Sequence, residues 1–247
     1  MKETAIVIGA SSGLGRELCT LLAKSGCDII LSSRNFAELS AVANDIKVKY
    51  GIKADALPVD LSKIDNEKAI AYVNKCFEIS PSVNQVYLTA AIVNDNDKDE
   101  KSVELLREIF DTNFFGTSFL AAEFAKRLCK KQSNITVISS VAAIRIRSKN
   151  MAYSSSKIAL EYFVSGLRHS FSENKMNIQI YRIGYMDTPM IAGKEILLPP
   201  VSPQKVADYI IKHRETKFAV RYFPFYWKFV AMLLPLVPWF IFKKFKH

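Results

Sequence analysis

Two short runs carry the residue types that could move a proton. Ser139 and Ser140 close an apolar run of strand length, and Tyr153-Ser154-Ser155-Ser156-Lys157 opens the next amphipathic stretch. Tyr153 and Lys157 stand at i and i+4, on one face of one helix, which brings an ammonium to the phenol's side. A phenol is a poor acid near neutral pH, and a neighbouring cation favours the phenolate. The spacing therefore predicts a Tyr153 phenol shifted down and usable as a proton donor. A Tyr-x-x-x-Lys pair alone is common on ordinary amphipathic helices; a strand-end Ser-Ser just upstream of it is not.

The chain opens on a second constellation. Ile6-Val7-Ile8 runs into Gly9-Ala10-Ser11-Ser12-Gly13-Leu14-Gly15, a buried strand breaking into a glycine-rich turn that starts a helix. Such a turn faces backbone N–H groups and the positive end of the helix dipole, and its glycines let a pyrophosphate approach with no Cβ in the way. Gly9, Ser11, Ser12, Gly13, Leu14 and Gly15 are the expected contacts, although a tight structural turn needs glycines as well. After the second strand, Ser33-Arg34 stand where an acid would hold a ribose 2′-hydroxyl. An arginine pairs with a 2′-phosphate that an acid would repel, so NADP(H) is favoured, with NAD(H) left open. The alternative for Arg34 is a solvated loop arginine. Asp60-Leu61 ends the third strand, either to bond an adenine amino group or to cap the next helix with Ser62.

Strand-length apolar runs at 4–8, 28–31, 54–59, 83–89, 134–139 and 177–183 alternate with helical stretches ending near 25, at 35–50, starting near 62, and at 105–128 and 151–173. Strands separated by crossover helices imply an α/β fold, a single Rossmann-like doubly wound parallel sheet with helices on both faces. Ligands of such sheets lie beyond the carboxyl ends of the strands, where the two constellations fall. We expect one such unit over 1–220 and an apolar, basic segment over 221–247.

With these motifs in place, the chain resembles a short-chain dehydrogenase/reductase over residues 1 to about 215. The resemblance implies hydride exchange between a nicotinamide and a carbon bearing oxygen. It makes Ser140 the group that polarises the carbonyl and Tyr153 the proton donor and acceptor. It assigns Lys157 to the nicotinamide ribose and the phenol, and Asn113, in Thr112-Asn113-Phe114-Phe115-Gly116, to a proton-relay water. Gly9, Gly13 and Gly15 match the cofactor turn, Ala90 and Gly184 further contacts, and Thr188 the threonine at the carboxamide. Three positions depart from the family pattern: Ile8-Gly9 for Thr-Gly, Leu88-Thr89-Ala90-Ala91 for Asn-Asn-Ala-Gly, and Ile183-Gly184 for Pro-Gly. The first two are expected to remove side-chain hydrogen bonds that brace the turn, weakening cofactor affinity more than chemistry.

The four cysteines are scattered without a C-x-x-C pair, so neither a metal site nor a disulfide framework is expected. Nothing ahead of Ile6 resembles a signal peptide, and a cytoplasmic setting is expected. Of the net charge of +10, residues 205–247 supply +7, so the basic character belongs to one end and points to a membrane surface instead of nucleic acid. That end is also aromatic, from Tyr222 to Phe242, but Lys228, Pro235 and Pro238 interrupt any clean span. It reads as a segment lying in the headgroup region, with a dimer interface, a core segment or a true span as alternatives.

Arg145-Ile146-Arg147-Ser148-Lys149-Asn150 and the Pro/aromatic/basic ending are similar to the keto-reductase components of decaprenylphosphoryl-ribose 2′-epimerase systems. On that resemblance the substrate is a lipid or a lipid-linked keto-sugar, reduced at the membrane surface. Arg145, Arg147 and Lys149 then face a lipid phosphate, or else form a solvated loop. Reductases of 3-ketosphinganine, steroid or retinal type stay open, as does a catalytically silent NADP(H)-binding regulator. Family likeness implies a homodimer or homotetramer.

Overall fold

The computed structural model describes residues 3–93, 102–147, 150–188 and 198–244. Seven parallel strands form one sheet in the order β3-β2-β1-β4-β5-β6-β7. They are β1 (Thr4–Ile8), β2 (Asp28–Ser32), β3 (Ala54–Ala56), β4 (Val83–Leu88), β5 (Ser133–Ser140), β6 (Met176–Ile183) and β7 (Val220–Phe223). The helices are α1 (Gly13–Lys24), α2 (Phe36–Tyr50), α3 (Asn66–Ile79), α4 (Val103–Phe110), α5 (Thr117–Leu128), α6 (Met151–Ser170), α7 (Pro203–His213), α8 (Trp227–Leu233) and α9 (Trp239–Phe242).

The period-two alternation of β1 sends its residues to two cores. Ile6 and Ile8 join the face covered by α3, α5 and α6, while Ala5 and Val7 join the face covered by α1, α2 and α7. The expected doubly wound sheet is therefore the one observed. Its strand order reverses between β1 and β4, which opens the ligand crevice at their carboxyl ends.

Several boundaries differ from expectation. The third strand pairs only over Ala54–Ala56; beyond it Asp60 caps a single 3-10 turn, Leu61–Lys63, and α3 starts later, under the Asp65 side chain. The long helix expected over 105–128 is interrupted by a π-turn, Asp111–Gly116. Gly116 there packs so closely on Leu61 that a Cβ would lie 2.1 Å from its carbonyl oxygen. The sheet also runs to Phe223, past residue 220, through an edge strand whose half-buried Val-Arg-Tyr-Phe sequence shows no clear alternation. Among the described residues no helix is long and apolar enough to cross a membrane.

Candidate active site

The glycine turn is built by close approach. Gly9 has φ +94° and Gly13 φ +51°, backbone that glycine adopts without strain. A Cβ on Gly15 would lie 2.0 Å from the Gly9 oxygen, whereas among the described residues one on Gly13 would meet only Thr188, at 3.6 Å. Gly13 thus faces open space at the first turn of α1, where Ser12 caps the helix without a side-chain hydrogen bond. The turn forms a cradle that fits a pyrophosphate, with Ser11, Ser12 and Leu14 along it and Thr188 across from it.

The expected loss of bracing is not what the structure shows. The Thr89 hydroxyl donates to the Ile8 carbonyl at 2.8 Å, and the backbone N–H groups of Thr89 and Ala90 donate to the same oxygen. Thr89 therefore supplies a brace directly beneath Gly9 and Gly15. The sequence shows no sign of this brace, because the hydroxyl meets Ile8 across 81 residues.

At the end of β2, Arg34 is exposed and the Ser33 hydroxyl is buried with no hydrogen-bond partner among the described residues. A buried hydroxyl beside an exposed guanidinium suits a sugar phosphate, which would satisfy both. Asp60 caps the turn after β3: its Oδ1 accepts from the Ser62 N–H at 3.1 Å and the Ser62 hydroxyl at 2.7 Å, with Lys63 at 3.5 Å. Leu61 is buried under the π-turn. The cradle, the unpartnered hydroxyl and Arg34 together fit a phosphorylated dinucleotide.

Asn113 lies in the π-turn and is fully buried. Its Oδ1 accepts from the Ile92 N–H at 2.8 Å, and its Nδ2 donates to the Ile92 carbonyl at 2.8 Å and to Ser156 at 3.2 Å. The side chain is thus committed to pinning the loop after β4 onto α6. It acts as a brace between that loop and α6.

Ser140 ends β5 and Tyr153 lies in the first turn of α6, with Lys157 one turn further. The Ser140 hydroxyl accepts from the Ala142 N–H at 3.1 Å. Lys157, 2% exposed, donates to the Ile138 carbonyl at 3.0 Å and lies 5.9 Å from the Tyr153 ring centroid. The predicted downward shift of the phenol is not observed. Burial pushes Tyr153 up, and the neighbouring Ser140 hydroxyl pulls it only part of the way back. Burial likewise brings the Lys157 ammonium down to about 8, against an upward pull from Glu161. Desolvation is the largest influence at both groups.

Behind Lys157 sits a cluster the sequence reading missed. Glu161, on the same face of α6, accepts from the Ser139 hydroxyl at 2.5 Å and from Arg182 Nε at 2.9 and 3.0 Å. Arg182, on β6, also donates to the Tyr222 hydroxyl. A charged residue at i+8 from Tyr153, matched by an arginine inside an apolar strand, was the available signal. Gly184, after β6, lies against Trp227, whose Nε1 would be 2.2 Å from an added Cβ. The Arg145 guanidinium donates through Nη1 to the Leu234 and Val237 carbonyls, at 2.6 Å each. Arg147 reaches the Tyr185 hydroxyl at 3.3 Å, and Lys149 lies outside the described residues.

A doubly wound sheet with a glycine cradle at its switch point and a Ser-Tyr-Lys set across from it defines a nucleotide-dependent oxidoreductase fold. A family model described as short chain dehydrogenase matches residues 3–195, and the chain belongs to the short-chain dehydrogenase/reductase family. It is 26% identical over 226 residues to the dehydrogenase/reductase SDR family protein 7-like of Drosophila melanogaster, covering 85% of this chain and 69% of that protein. It is 28% identical over 222 residues to the fatty acyl-CoA reductase of Acinetobacter baylyi, covering 85% and 72%. Among solved structures, a short-chain dehydrogenase from Sphingobium yanoikuyae in complex with NADPH shares the fold, with a TM-score of 0.81 at 20% identity over 94% of this chain and 93% of that one.

Proposed function

We propose that this chain is an NADP(H)-dependent oxidoreductase that interconverts a ketone and a secondary alcohol. The observation that carries this reading is the meeting of Ser140, Tyr153 and Lys157 at the carboxyl ends of the strands, on the side of the glycine cradle. NADPH, when bound, supplies the hydride. Gly9, Gly13, Gly15, Arg34 and Thr188 would hold it. The protein's own residues handle the proton and the oxygen. The Ser140 hydroxyl steadies the carbonyl oxygen as it gains negative charge, and the Tyr153 O–H donates its proton to that oxygen. Because burial keeps the phenol protonated well above neutral pH, the direction served best is reduction. Lys157, charged at pH 7, then eases the phenolate left behind, which recovers its proton from solvent.

For the substrate, the reading is a carbonyl carried on a lipid or a lipid-linked sugar, met at a membrane surface by a protein bound peripherally through residues 221–247. The aromatic, basic segment supports this, as do relatives named for long acyl chains, such as the very-long-chain 3-oxoacyl-CoA reductase of Vanderwaltozyma polyspora. The test is NADPH oxidation with a panel of keto-lipids and lipid-linked keto-sugars, wild type beside Tyr153→Phe. The variant is expected to lose on the order of a hundredfold or more in kcat while still binding NADPH. Equal turnover by both proteins refutes the assignment of Tyr153, and binding of NADPH without turnover of any carbonyl favours the silent regulator.

A further inference from the structure

The chain leaves β7 at the carboxyl edge of the sheet, the edge on which Ser140 and Gly184 lie, so α8 and α9 follow on the ligand side. Two contacts fix them there. Trp227, 7% exposed, packs its indole on Gly184, with the Tyr185 ring 5.8 Å away. Arg145, five residues beyond Ser140, binds the carbonyls of Leu234 and Val237 and stacks over the Phe242 ring at 3.8 Å.

With the inner face so engaged, the outer face of the same segment exposes Phe229, Met232, Leu233, Leu236, Trp239 and Phe240. Six large apolar side chains within twelve residues exceed the scattered apolar exposure of an ordinary soluble surface. Exposed Lys228, Lys243 and Lys244 lie among and beside them, and no acidic residue follows Glu215. Helices of seven and four residues are too short to span a bilayer, whereas an aromatic face with flanking lysines suits the headgroup layer.

We propose that this outer face docks on an anionic lipid bilayer, and that Arg145 straps it to the rim of the Ser140–Tyr153 site so that a lipid-borne ketone enters the cleft from the membrane. The second half rests on the reductase reading; the first does not. Arg145 serves as a positioning residue, since its guanidinium touches the segment and not the reacting atoms.

The chain contains only two tryptophans, one on each face of the segment, so fluorescence separates them. Full-length protein is mixed with vesicles of brominated phosphatidylcholine, with and without phosphatidylglycerol, beside Trp239→Phe. The expected result is strong quenching of the wild type by anionic vesicles, little quenching of Trp239→Phe, and roughly hundredfold tighter binding to anionic than to neutral vesicles from three lysines. No quenching, equal quenching of both proteins, equal affinity for neutral vesicles, or a lipid-free dimer that shields Trp239 overturns the docking surface. For the strap, Arg145→Gln is expected to pellet with anionic vesicles as the wild type does, yet to lower the turnover ratio of bilayer-borne to water-soluble ketone about tenfold. An unchanged ratio overturns the strap. Vesicle binding with no ketone reduced by the wild type overturns the reductase reading alone and leaves the docking surface standing.

Discussion

Replacing Glu161 with glutamine asks whether the charge of Lys157 is set by the cluster behind it. Lys157 titrates near 8, so about nine in ten molecules carry the ammonium at pH 7 and about half at pH 8. Facing it are Tyr153 and Glu161 on its own helix, with Arg182 of β6 and Tyr222 of β7 reached through Glu161. A unit charge one helical turn away is worth roughly 2–3 kcal/mol at an effective dielectric of 20. Arg182 shields part of this, leaving an effect on the order of one pH unit. Removing the negative charge lowers the Lys157 value, and the alkaline limb of kcat/KM moves from near 8 toward 7. At pH 8 the protonated fraction, and kcat/KM with it, falls about fivefold.

Arg182→Met has the opposite sign, because an unshielded Glu161 holds the ammonium more firmly and carries the limb above 8. Tyr153 does not produce this limb, since burial pushes the phenol up from its ordinary value near 10. The assay is initial-rate NADPH oxidation with a water-soluble ketone from about pH 6 to about pH 10, with thermal melts in the same buffers. An unmoved limb in both variants, or shifts of one sign in both, refutes the electrostatic link. A purely structural role for the ion pair would lower kcat/KM at every pH alike.

Arg34→Ala is expected to raise KM for NADPH on the order of tenfold or more while leaving KM for NADH nearly unchanged, because only the 2′-phosphate loses a charge-assisted partner; parallel changes with both cofactors return Arg34 to a solvated loop. Gly184→Ala places a Cβ 2.2 Å from Trp227 Nε1 and is expected to lose about 1–3 kcal/mol in denaturant unfolding, recovered when Trp227→Leu makes room. A stability loss that the second substitution does not relieve contradicts this packing. Lys157→Met is expected to abolish turnover yet melt higher than wild type at pH 7. The folded-state value lies near 8 against 10.5 for the free side chain, so the folded protein binds fewer protons between them. Wild-type stability therefore rises from pH 8 to about 10.5, and the advantage of the variant should shrink over that window; an advantage that grows with pH refutes the assigned direction.

What was legible in the sequence was local. Gly9, Gly13 and Gly15 share one turn, and Tyr153 and Lys157 share one helix face, so spacing alone placed them. Thr89 braces Ile8 from 81 residues away, Arg182 meets Glu161 across 21, and Arg145 meets Leu234 across 89. Contacts of that separation exist only once the sheet has ordered its strands, and spacing alone does not pair them. Tyr153 shows a different kind of shortfall. Its neighbours were identified correctly, but the pair interaction is only part of what sets a titration. The remainder is the cost of holding charge away from water, a property of everything packed around the group. Residue spacing predicts which side chains meet; the sign of their titration depends on the surroundings, and at Tyr153 burial sets that sign.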